Sequence, residues 1–73
     1  MKLGKNVIKR FAFEGERADS VFGYVLIELE NGTWYAQKDY NCDMFFDLIR
    51  KAMEIPEEEL DNYFIEHKLK RMK

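Results

Sequence analysis

The sequence predicts an α+β fold: a three-stranded antiparallel β-meander followed by two α-helices packed on one sheet face, in a single domain over residues 1–73. Three observations predict it. Asn31-Gly32 joins two runs of strand-forming residues, the strongest short-range hairpin signal, because both residues tolerate the positive φ of a type I′ turn. Phe45, Leu48, Ile49, Ala52 and Met53 then recur at helical spacing as one apolar stripe. Pro56, followed by Glu57, Glu58 and Glu59, opens a second helical pattern. Strands followed by helices is the α+β order.

The first strand is expected over Val7 to Glu14, rich in β-branched and aromatic residues. Both of its faces are mixed, so alternation alone does not say which is inside. Gly15 to Ser20 reads as a polar connection. Val21 to Glu30 is the longest strand, and Thr33 to Lys38 is its hairpin partner. A two-residue Asn31-Gly32 turn sets Glu30 against Thr33, Leu29 against Trp34, Glu28 against Tyr35 and Ile27 against Ala36. Val25, Ile27, Leu29, Trp34 and Ala36 then form the core face. Phe22, Tyr24, Leu26, Glu28, Glu30, Thr33, Tyr35 and Gln37 form the opposite one, charged near the turn and aromatic away from it.

Asn41 or Asp43 caps a helix running to about Met53, with Asp47 and Lys51 paired on its wet side. The second helix starts with Pro56 in its first turn. Leu60, Tyr63, Phe64 and His67 line one side, Ile65, Leu69 and Met72 a second, and the basic cluster from Lys68 onward falls in its last turn. A helix that is apolar on two sides touches two things, one of them a second copy or a partner.

Composition bounds the function. A chain of 73 residues buries only roughly 60–65% of the surface its unfolded form exposes, yet it is 47% hydrophobic and 15% aromatic. Apolar surface left over on so small a body marks an interface. The net charge of −2 hides a division. Lys2, Lys5, Lys9 and Arg10 make one end basic, and Lys68, Lys70, Arg71 and Lys73 the other. Between them, Asp43, Asp47, Glu54, Glu57, Glu58, Glu59, Asp61 and Glu66 outweigh Arg50 and Lys51. Cys42 is the only cysteine, which points to a reducing, cytoplasmic setting. No apolar run reaches the length of a membrane span.

The inventory argues against an enzyme. Ser20, Thr33, Cys42 and His67 are each the only residue of their type. Cys42 near a helix N-terminus could in principle be activated by His67, but a small buried cysteine and a histidine on an apolar stripe are the plainer readings. No metal is expected, since paired Cys and His ligands are missing. The acid pairs Asp43 with Asp47 and Glu28 with Glu30 lie on solvated faces, and the scattered glycines make no phosphate loop. No cofactor is implied.

The function expected is protein binding: a non-enzymatic regulator or inhibitor that docks on a larger protein, nucleic-acid-handling proteins among the candidates, and also self-associates as a homodimer. Phe22, Tyr24, Tyr35, Glu28, Glu30, Glu57, Glu58 and Asp61 would carry the contact. The alternative is a small nucleic-acid-binding protein. Its sheet aromatics would stack on bases, and Lys2, Lys5, Lys9, Arg10, Lys70, Arg71 and Lys73 would form the electrostatic rim.

Overall fold

The computed structural model describes residues 8–15 and 21–72. Its elements run β1 (Ile8–Gly15), β2 (Phe22–Leu29), β3 (Trp34–Asn41), α1 (Cys42–Ala52), α2 (Glu57–Glu66) and β4 (Lys70–Arg71). The expected α+β fold is present: an antiparallel sheet in the order β1-β2-β3-β4, with both helices on one of its faces. The short β4 was not expected. Val7 and the 16–20 connection lie outside the described residues.

The hairpin forms where the Asn-Gly signal places it, but with a different turn. Gly32 N–H donates to Leu29 O at 3.0 Å, and Leu29 N–H donates to Thr33 O at 2.9 Å. Gly32 has φ +93° while Asn31 keeps a negative φ. This is a three-residue loop, a type I turn closed by a glycine bulge, rather than the two-residue type I′ turn. The Asn31 side chain supports it by accepting the Thr33 N–H at 2.9 Å.

The change slips the register by one residue. Glu28 faces Trp34, Ile27 faces Tyr35, Leu26 faces Ala36 and Val25 faces Gln37. A one-residue slip turns every side chain of a strand over. Tyr35, expected outside, is therefore 2% exposed in the core, while Trp34 and Ala36, expected inside, lie on the outer face. A second bulge, with Asp39 at φ 60°, inserts one residue between Gln37 and Tyr40 and carries Tyr40 into the core. It also lets β3 run on to Asn41 rather than stop at Lys38.

The core joins Val25, Ile27, Leu29, Tyr35 and Tyr40 of the sheet to Phe45, Leu48, Ile49 and Ala52 of α1, and to Leu60 and Phe64 of α2. Each of the larger side chains contributes about 1.5–3 kcal/mol by leaving water. Asn41 caps α1, its Oδ1 accepting Met44 N–H at 3.0 Å. Asp47 pairs with Arg50 at 2.6 Å, not with Lys51 as expected. Glycine is required at Gly23, which faces Gly15 across β1 and β2. A Cβ there would press on the Glu14 carbonyl oxygen and approach Gly15 Cα within 2.9 Å.

Pro56 is the N-cap of α2 rather than its first residue, and α2 stops at Glu66. Lys68 adopts φ 72°, its N–H donates to Ile65 O at 2.9 Å, and Leu69 N–H donates to Phe64 O at 3.0 Å. These paired bonds form a Schellman motif, with the buried Leu69 against the Phe64 turn. The expected helical positions of Leu69 and Met72 and the basic last turn are thus corrected. The chain reverses at Lys68, and Lys70 and Arg71 pair with Ala36 and Tyr35.

Candidate functional site

Two surfaces emerge, on opposite sides of the sheet. The outer face carries three cross-strand rows. Arg10, Glu28 and Trp34 form the first; Ala12, Leu26, Ala36 and Lys70 the second; Glu14 and Tyr24 the third. No described element covers this face. A one-sided antiparallel sheet ordinarily turns polar side chains to water. Here the bare side has a low, small middle row, in which Ala36 is 4% exposed between taller neighbours, flanked by Trp34 and by Tyr24 at 42% exposed. Phe22, 54% exposed, extends it at the far end of β2.

Glu28 anchors the charged row and is the only buried charged residue among those described. Arg10 Nε donates to its carboxylate at 2.8 Å, Lys9 Nζ lies 3.7 Å away, and the Arg10 guanidinium sits 5.3 Å from the centre of the Trp34 ring. Two cations therefore offset the burial of this acid, and the Trp34 ring face attracts one of them, Arg10. The bulge between Ile8 and Arg10 brings both Lys9 and Arg10 within reach of Glu28.

The second surface is an open cleft of about 400 Å³ between the hairpin loop and the start of α2, lined by Asn31, Tyr35, Glu57, Glu58, Asp61 and Arg71 among others. Tyr35 donates its hydroxyl to Asp61 Oδ1 at 2.8 Å, and its ring packs 4.8 Å from that of Phe64. Burial first, then the hydrogen bond and negative charge of Asp61, push the Tyr35 phenol well above the ordinary tyrosine range, against a smaller opposing pull from Arg71. Asn31 Nδ2 donates to Glu57 Oε2 at 3.3 Å, tying the loop to the helix.

The expected partner-binding residues thus fall into two groups that do not meet. Phe22, Tyr24 and Glu28 belong to the outer face. Tyr35, Glu57, Glu58 and Asp61 gather at the cleft, and Glu30 is exposed in the hairpin loop. Sequence reasoning missed Ala12, Arg10, Trp34 and Ala36 as outer-face neighbours of Tyr24 and Leu26. A three-residue reading of the Asn-Gly loop would have found Trp34 and Ala36.

The expected nucleic-acid residues disperse. Lys9 and Arg10 pair with Glu28, Lys70 is at the β4 end of the outer face, and Arg71 lies on the helix side at the acidic cleft. Lys2, Lys5 and Lys73 lie outside the described residues. Cys42 opens α1, and His67 caps α2 with its Nδ1 2.9 Å from Tyr63 O. Among the described residues, no group of three His, Cys, Asp or Glu is placed to hold a metal ion, and no helix is long and apolar enough to cross a membrane. No protein-family model, curated protein or solved structure matches the chain.

Proposed function

We propose that this chain is a cytoplasmic, non-enzymatic binding domain that regulates another protein by docking an apolar strip of it on the outer sheet face. One observation carries the reading: exposed Tyr24 and half-buried Leu26 and Trp34, set around the buried Ala36, form an apolar surface on the side of the sheet opposite the helices. Apolar contact of this kind drives association, and buried aromatic anchors supply most of its strength.

The chemistry favours a protein over a polyanion. Single-strand binders join stacking rings to a basic track. Here two of the four described basic candidates neutralise Glu28, and a third lies beside Asp61 on the other side of the sheet.

Affinity capture with the wild-type chain and with two folded variants tests this. A partner recovered by wild type and by Glu58→Lys, but lost with Leu26→Lys, is the expected result. Retention of that partner by Leu26→Lys would overturn the reading. So would tight binding to single-stranded RNA or DNA that weakens steeply with salt, which would place the function with nucleic acid.

A further inference from the structure

The sheet ends at β1, whose only described strand partner is β2. Among the described residues, the core is unfinished along this edge. Phe11 and Phe13 share a face with Ile27 and Val25, and their rings lie 6.0 and 6.3 Å from that of Phe45. Yet Ile27 and Val25 are fully buried, whereas Phe11 is 39% exposed and Phe13 is half-buried.

The segment Arg10-Phe11-Ala12-Phe13-Glu14 is complementary to itself when run antiparallel. Setting Ala12 opposite Ala12 of a second copy puts Phe11 against the other copy's Phe13 on the helix side, twice. On the outer side it puts Arg10, which bonds Glu28 through its Nε, against the other copy's Glu14, also twice, with the guanidinium's Nη groups as the donors to this second carboxylate. Directly opposed residues of an antiparallel pair share a face, so a two-fold axis normal to the sheet must pass through a residue. The axis at Phe11 would set Arg10 on Ala12 and Phe13 on Lys9. The axis at Phe13 would set Glu14 on Ala12. Within Ile8–Gly15, the axes at Phe11 and Phe13 each set one ring on its own copy but pair no opposite charges, and only the axis at Ala12 pairs opposite charges and matches both rings with rings.

The pairing with β2 is regular from Arg10 to Gly15 and irregular only between Ile8 and Arg10. The exposed half that would be joined is therefore the unbulged half. Bulges and edge lysines such as Lys9 protect the remainder from pairing.

We infer that the protein forms a two-fold dimer by antiparallel pairing of β1 with β1 of a second copy, centred on Ala12. The two four-stranded sheets become one. The four phenylalanines close the gap between the two helix layers, and the two outer faces become continuous. This dimer rests on the reading of the chain as a protein-association domain and specifies one of its surfaces.

Sedimentation and directed cross-linking test it. The wild type is expected to sediment as a concentration-dependent dimer, and Glu14→Arg, which sets like charges opposite Arg10, to weaken it at least about tenfold while circular dichroism stays native. In a Cys42→Ser background, Ala12→Cys should form an intermolecular disulfide under mild oxidation and Glu14→Cys should not, because only residue 12 meets its own copy. A wild-type monomer at high concentration overturns the dimer. A dimer that ignores Glu14→Arg, or that cross-links through residue 14 but not 12, overturns the edge and register. Loss of the captured partner with Leu26→Lys is scored separately, so either proposal can fail alone.

Discussion

Replacing Tyr35 by Phe isolates one hydroxyl in the core. The ring stays, so its 4.8 Å contact with Phe64 is kept and no cavity opens. What is lost is the 2.8 Å bond to Asp61. A hydrogen bond to a charged acceptor is worth about 1.5–3 kcal/mol. Asp61 is only half-buried and water can replace the hydroxyl, so the low end applies and Tyr35→Phe should cost about 1.5 kcal/mol at pH 7. For a domain of this size that lowers Tm by roughly 6–12 °C.

Alkali supplies the sharper test. The folded Tyr35 phenol holds its proton above the ordinary tyrosine range. Its contribution is complete below about pH 10 and declines as pH rises towards the folded value, at about 1.4 kcal/mol per pH unit. The wild-type advantage of about 1.5 kcal/mol should therefore vanish near pH 11, where the two stability curves meet. Tyr40 and Tyr63 are raised too, chiefly by burial, and remain in both proteins, so both still lose stability in alkali. Urea unfolding followed by far-ultraviolet circular dichroism between pH 7 and pH 11 measures this. Parallel curves, or a cost at pH 7 below about 0.5 kcal/mol, would refute a buried, Asp61-bound hydroxyl.

Two further substitutions probe the backbone. Gly23→Ala pushes a methyl into the Glu14 carbonyl and Gly15. Backbone there cannot rotate away as a side chain would, so a loss of about 2–3 kcal/mol is expected from thermal melts, and an unchanged melt would disprove the close approach. Lys68→Gly should stabilise by about 0.5–1 kcal/mol, because the left-handed C′ position of α2 strains a side-chain residue more than glycine's extra chain entropy costs. Destabilisation in urea titrations would contradict that conformation.

The parts legible in the sequence were those with a strong local cause. The α1 stripe is buried at Phe45, Leu48, Ile49 and Ala52 as its spacing requires and Asn41 caps the helix, but Met53, expected in the stripe, is the exposed C-cap. The hairpin sits at Asn31-Gly32, but the dipeptide fits both a two-residue and a three-residue loop, and the difference turns β3 over. Tertiary packing decides between them. Tyr35 has Phe64 to pack on and Asp61 to satisfy its hydroxyl, and neither can be seen from β3 alone. The end of α2 was hidden for a related reason: the helix stops at a left-handed lysine, where a glycine would have announced it. For the candidate site, the aromatic and acidic groups were legible as residue types. Their separation onto two sides of the sheet was not, because it depends on the register.

That separation couples the two proposals in a definite way. Pairing at β1 joins the outer faces of two copies across Ala12, whereas Tyr24, Leu26, Trp34 and Ala36 lie on β2 and β3, away from the joined edge. A partner strip confined to β2 and β3 of one copy makes the same contacts with monomer and dimer, so it cannot shift their equilibrium. A strip crossing the two-fold axis touches both copies and must tighten the dimer by the same factor by which dimerisation tightens its own binding. Measuring the dimer dissociation constant with and without saturating partner separates the two geometries. An unchanged constant confines the strip to one copy, and a lowered one places it across Ala12.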